Sequence, residues 1–413
     1  MIPIRPAGSG GVLAAPGAGL AGDAPGVSEP PPLSLYVHLP WCIRKCPYCD
    51  FNSHEFRDGD SPPEDRYVDA LIADLESALP SVWGRKVSSI FIGGGTPSLL
   101  SGEALHELLN AVRMRLPLLP EAEVTLEANP GTAEAGKFAA FRAAGVNRLS
   151  LGIQSFNDRH LEALGRIHDS AEARAAIELA KTHFERFNLD LMYGLPQQSQ
   201  AEAMADLETA LSFAPPHLSC YQLTLEPNTL FAARPPQLPE GDTCADMQDA
   251  IEARLAAAGY VHYETSAFAR PGYQCRHNLN YWTFGDYLGI GAGAHGKLTL
   301  PDHSGFSVQR QMRWKQPKQY LEQVAAGQPV QEQHGVGADE LPFEFLMNAL
   351  RLNQGFDPAL FEQRTGLPLL LVRGELEKAA REGLLTLAPD CIAPTERGRR
   401  FLNALLERFL PDA

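Results

Sequence analysis

Three cysteines, Cys42, Cys46 and Cys49, fall within the stretch PWCIRKCPYCDFNS. Their C-x3-C-x2-C spacing lets three thiolates surround one metal centre, and three thiols cannot all pair as disulfides. Two readings follow. Zinc would need a fourth ligand, with His38 and His54 nearest in the chain. A cubane 4Fe–4S cluster needs no fourth ligand from the protein and leaves one iron open to a substrate or cofactor. The other cysteines, Cys220, Cys244, Cys275 and Cys391, are scattered, and the total of seven is odd. This is not a secreted disulfide framework, and a reducing, cytoplasmic compartment is expected.

The elements that must position these thiols are set by a chain of 413 residues, 44% hydrophobic, enough for a large core and two domains. A net charge of -15 and a pI of about 5.3 argue against a nucleic-acid groove. A local basic pocket could still hold a small acidic ligand. No apolar run approaches the roughly 20 residues of a membrane span, so membrane contact is expected only through partners. Residues 1–32 are rich in Gly, Ala and Pro, carry no aromatic, and make a poor signal peptide. They read as a disordered leader.

From Leu33 onward, short apolar runs alternate with helical patterns. SLYVHL, VSSIFIGGG, EVTLEANP, RLSLGIQS, NLDLMYGLP and HLSCYQLTLEP read as strands. Helices are expected over SPPEDRYVDALIADLESAL (capped by Ser61, with Pro62 and Pro63 in its first turn), GEALHELLNAVRMRL, and about 133–144, 170–183, 200–213 and 243–259. Near-continuous apolar strands alternating with helices imply a parallel α/β sheet, closed or partly closed into a barrel over 33–300. After about residue 300 the pattern turns mostly helical. A small hairpin, LLTLAPDCIA, suggests a winged-helix-like domain over 301–413. Residues 341–413 carry nine Lys/Arg against ten Asp/Glu, so a structural lid is expected rather than a DNA reader.

CIRKCPYC resembles the signature of the radical S-adenosylmethionine (radical SAM) superfamily, and FIGGGTPS resembles its glycine motif. YVHLPWC, LEANP, NRLSLGIQSFND, LGRIH, NLDLMYGLPQQ and DYLGIGAGAHG extend the resemblance to the oxygen-independent coproporphyrinogen III oxidase family and its HemW haem-chaperone branch, over about residues 34–410. The resemblance implies a partial β/α barrel and a 4Fe–4S cluster on Cys42, Cys46 and Cys49. S-adenosylmethionine would be the missing fourth ligand. It also implies cofactor contacts from Tyr36, Tyr48, Gly94, Gly95, Thr96, Glu127, Gln154, Arg166 and Asp190. Three of these, Glu127, Gln154 and Asp190, lie on or at the end of expected strands, at whose carboxyl ends barrels hold their ligands.

The branch is set by departures from the oxidase pattern. Phe51 stands where the oxidases carry a further cysteine, which puts their decarboxylation in doubt and matches the haem-chaperone branch. His295 replaces an apolar residue, and Thr224 stands at an alanine position. CRHNLNYW contains H-N-x-x-Y-W, a mark of that branch, which makes His277, Tyr281 and Trp282 candidates for haem, with Cys275 a second candidate ligand. The expected function is a haem chaperone that binds haem, the cluster and S-adenosylmethionine and delivers haem to an acceptor such as a respiratory haem protein. The rivals are an oxygen-independent coproporphyrinogen III oxidase and, more remotely, a zinc protein.

Overall fold

The computed structural model describes residues 29–55, 63–131, 135–302 and 305–411. Most of the expected leader, and the expected cap at Ser61 and Pro62, lie outside them. One 12-stranded sheet organises the molecule. In chain order its strands are β1 Leu33–Leu39, β2 Val87–Gly94, β3 Leu118–Ala128, β4 Arg148–Gln154, β5 Arg186–Tyr193, β6 His217–Gln222, β7 Val261–Glu264, β8 Ala267–Ala269, β9 Asp286–Ile290, β10 His295–Asp302, β11 Gly305–Arg313 and β12 Val330–Gly335. Their spatial order is β12-β11-β10-β9-β1-β2-β3-β4-β5-β6-β8-β7.

The stretch from β9 through β1 to β6 is parallel. Its strands are buried on both faces, apolar towards the helices and largely polar on the other side: β1 buries every residue except Tyr36, with Ser34 and His38 on the polar face. Both flanks are antiparallel, and no pairing among the described residues joins β12 to β7, so the barrel stays open.

Helices cover the outer face. The helix Glu64–Ala78 buries Tyr67, Val68, Leu71 and Leu75. The helices Ser170–His183 and Gln200–Ser212 open on capping boxes, Asp169 with Glu172 and Ser199 with Glu202, which satisfy their first free amides. Of the helix expected over 133–144, the described part is Phe138–Ala144.

The change of pattern expected at residue 300 falls inside β10, and the sheet continues to Gly335. Two buried charged groups tie this extension to the barrel. Asp74 receives Arg313 at 3.0 Å and the Tyr320 hydroxyl at 2.9 Å. Asp286 receives Lys297 and Arg85, both at 2.8 Å. Removing one partner from such a pair strands a buried charge.

Beyond the sheet lie the helices Leu341–Ala349, Pro358–Thr365 and Leu370–Arg381, and the hairpin β13 Leu385–Ala388 with β14 Cys391–Pro394. The final helical stretch from Glu396 breaks at Phe401, whose backbone leaves the helical region. This helix-and-wing unit has its own core around Phe345, Phe356, Phe361 and Leu376. Phe284 joins that core, 5.8 Å from the Phe345 ring. No helix among the described residues is long and apolar enough to cross a membrane.

Candidate functional site

A cavity of about 470 Å³ opens at the carboxyl ends of β2 to β6, within the range of small-molecule sites. Cys42, Cys46, Cys49, Tyr48 and Phe51 line it from the loop after β1. That loop is held by backbone. The Gly95 amide donates to Leu39 O at 2.6 Å, and the Thr96 amide to Trp41 O at 2.7 Å. A Cβ on Gly95 would come within 2.4 Å of Trp41 O, and one on Gly94 within 2.7 Å of Leu39 O. Gly94 also has φ +117°, open to glycine and strained for other residues. The glycine motif therefore seats the cysteine loop. Its amides, expected to face a cofactor, are already engaged.

The remaining wall comes from successive strand ends. Glu127 Oε2 accepts the Gly94 amide at 3.2 Å. Burial, then the nearby Asp190, push the Glu127 carboxyl up to about 8. Gln154 ends β4 with φ +67° and lines the cavity. Asp190 accepts from Asn188 at 2.8 Å and Ser150 at 3.2 Å, and burial raises its pKa. Arg166 lies against Cys46, with Nη1 at 3.7 Å from Sγ. Its Nη2 donates to Asn129 Oδ1 at 2.6 Å and Gly152 O at 2.8 Å, and its Nε is buried without a partner.

Asn129 is a residue the motif reading passed over. It bridges Arg166 to Thr96 Oγ1, to which it donates at 3.3 Å. Its signal was its place two residues after Glu127 at the end of β3.

Tyr36 is the expected contact that does not reach the cavity. Its hydroxyl meets His38 Nδ1 at 2.9 Å, and its ring lies 6.3 Å from Phe91, which does line the wall. The zinc reading loses its candidate ligands. His38 uses both ring nitrogens, the second on Asn52 O at 2.9 Å, and burial draws its pKa down to about 4. His54 meets Asn52 Oδ1 at 3.3 Å. Neither lines the cavity.

Among the described residues no three His, Cys, Asp or Glu side chains stand close enough to cage an ion. What the wall offers is three thiols facing one open space and a buried Arg166 Nε with no partner. That donor set fits a sulfur-held cluster with one open iron better than it fits zinc.

The haem candidates lie behind the wall. His277 is 1% exposed. Its Nδ1 meets Ser89 Oγ at 3.1 Å, its Nε2 meets the Tyr281 hydroxyl at 2.8 Å, and its ring stacks on Phe91 at 5.0 Å. Burial, then the field of Arg148, lower its pKa to about 3. Trp282 packs under Arg351, 4.4 Å from the ring. The helix Arg276–Trp282 buries His277 and Asn280. Cys275 and Asn278 from the same segment do reach the cavity. Among the described residues none beyond Asn278 lines it, so the described part of the helix-and-wing unit stands off this cavity. His295 is off the wall, and Thr224 is on it.

The open parallel barrel, with three cysteines after its first strand, defines a radical SAM protein, and a radical SAM superfamily model matches residues 36–210. A HemN C-terminal domain model matches residues 336–401. The chain is 51% identical to the Escherichia coli heme chaperone HemW, covering 92% of this chain and 99% of the relative. It is 49% identical to the Haemophilus influenzae heme chaperone HemW at the same coverage. It is 36% identical to the mouse mitochondrial radical S-adenosyl methionine domain-containing protein 1, covering 92% and 87%. Among solved structures, the Escherichia coli coproporphyrinogen III oxidase HemN, described as a radical SAM enzyme, superposes with a TM-score of 0.77 at 27% identity, covering 94% and 92%. The chain belongs to the HemW heme chaperone family.

Proposed function

We propose that this chain binds haem together with a 4Fe–4S cluster and S-adenosylmethionine and passes haem to an acceptor haem protein, in the cytoplasm. The observation that carries this reading over the oxidase is Phe51. It lines the cavity rim beside Cys49 and is 55% exposed. An apolar ring stands there in place of the oxidases' additional thiol, and it can neither ligate metal nor pass a proton.

Cys42, Cys46 and Cys49 would hold the cluster, which when bound supplies an electron to the sulfonium of S-adenosylmethionine. The chain's own residues set the surroundings. Burial raises the pKa of Cys42 and Cys49, so the free thiols stay protonated until metal binds. Arg166 adds positive charge beside Cys46 and keeps its Nε for a carboxylate. Glu127, Gln154 and Asp190 offer acceptors along their strands, and Tyr48 closes the Cys46 side.

His277, Tyr281 and Trp282 remain the proposed haem residues, in a narrower form. The imidazole reaches iron only after Nε2 gives up the Tyr281 hydroxyl. The division of the chain is likewise proposed as a leader, a barrel and a helix-and-wing unit, with the last boundary drawn after Gly335.

The test is anaerobic incubation of the reconstituted protein with coproporphyrinogen III and S-adenosylmethionine. No protoporphyrinogen IX is expected. Its formation at the rate of a genuine oxidase assayed alongside would restore the enzyme reading.

A further inference from the structure

The cavity runs from Gln154, the last residue of β4, down to Arg148, the first. Six steps of strand span about 20 Å, so Arg148 belongs to the inner end, far from the cysteine loop. Asn188, His217, Ser219, Cys275 and Asn278 complete that end.

Arg148 is 3% exposed. Among the described residues its guanidinium makes no hydrogen bond and no ion pair, although it feels the fields of Cys275, Glu123, Tyr263 and Asp190. Glu123 and Asp190 offset its charge from a distance without touching it, and Glu123 Oε2 is itself buried without a hydrogen-bond partner. Glu123 Oε1 accepts the Arg276 amide at 2.9 Å and the His277 amide at 3.4 Å, and Arg186 approaches Oε2 at 3.8 Å. Asp190 is held by Asn188 and Ser150. Thr125, the register neighbour of Arg148 on β3, has a buried hydroxyl with no partner. His217 is spent on Asn188 and Tyr263.

Glu123 and Asp190 offset the charge, yet the guanidinium's buried N–H donors touch no acceptor, which leaves them free for a ligand. The planar fork favours a carboxylate, which it can grip through two oxygens. We propose that Arg148 anchors a carboxylate subsite at the inner end of the cavity and, resting on the haem reading above, that this subsite takes a propionate of the tetrapyrrole. The subsite is separate from Arg166, which serves the cysteine end.

The experiment titrates the full chain with mesoporphyrin IX and with its dimethyl ester, which lacks free carboxylates. It also measures melting temperature with sodium succinate against sodium chloride at matched ionic strength. Wild type should favour the diacid by about tenfold or more, the loss expected when a charge-assisted bond goes unmade. Arg148→Met should bind both forms alike, and Arg148→Lys should fall between. Equal binding of the two forms by wild type, or an undiminished preference in Arg148→Met, overturns the propionate assignment.

If wild type binds neither porphyrin, the propionate assignment fails, the haem reading is decided by titration with haem itself, and succinate decides the subsite. A melting rise in wild type that Arg148→Met lacks supports a site for a free carboxylate. No rise, or an equal rise in both, overturns it.

Discussion

Single residues of the site were read from the sequence where they coincide with expected strands. Glu127 and Gln154 stand at or next to the ends of β3 and β4, Asp190 lies in the middle of β5, and all three line the cavity wall. Asn129, Arg148 and the engagement of His277 were not legible, since each depends on partners from distant segments. Two predictions belong here. Cys46→Ala should retain almost none of the roughly four iron atoms per chain expected after anaerobic reconstitution, as read by iron and sulfide analysis. Glu127 has an ordinary pKa of 4.5, raised to about 8. Between those values the unfolded chain has lost its proton while the native chain keeps it. Stability is therefore fullest below about pH 4.5 and falls as pH rises towards about 8. Glu127→Gln should melt above wild type at about pH 8.5 and differ little at about pH 5, in the protein free of cluster and cofactor. A gain that is equal at both pH values would show that ionisation of Glu127 is not the cause.

Elements were legible in proportion to how apolar they are. The buried strands β1 to β6 and the amphipathic helices carry clear periodicities. β11 and β12 do not: GFSVQRQMR is mostly polar, and VQEQHG lies exposed along the sheet edge. An edge strand gains its order from backbone pairing with its neighbour and needs no apolar face. The turn GGGT was visible as a motif, but its work of seating the cysteine loop appears only when Leu39 and Trp41 are brought against it. Gly95→Ala should shift that loop, because its Cβ meets Trp41 O. It should lower cluster retention severalfold while far-ultraviolet dichroism stays near that of wild type. Gly374 lies exposed in the helix Leu370–Arg381, where an added Cβ meets nothing within 4 Å. Gly374→Ala should stabilise the chain by about 0.5–1 kcal/mol in denaturant unfolding and leave the cluster untouched. Equal iron retention in Gly95→Ala and wild type would separate the glycine turn from the cluster.

At the scale of the whole molecule, an acidic chain of net charge -15 encloses a cavity that places three thiols at its mouth and, at its inner end, an arginine that hydrogen-bonds to none of the described residues. The helix-and-wing unit stands apart from that cavity with its own core. It meets the barrel through Phe284 and the Trp282–Arg351 contact, and elsewhere through Arg310–Glu344 and Arg400–Asp249, so the helix of His277 lies along one part of the join. A haem chaperone requires a saturable haem site in this architecture, whatever the acceptor. The most direct measurement is spectrophotometric titration of haem into the full chain and into His277→Ala. The account predicts saturation at about one haem per chain, as a single enclosed site would give, with a Soret band that shifts or weakens in the variant. A linear, unsaturable response in the wild-type protein would contradict it.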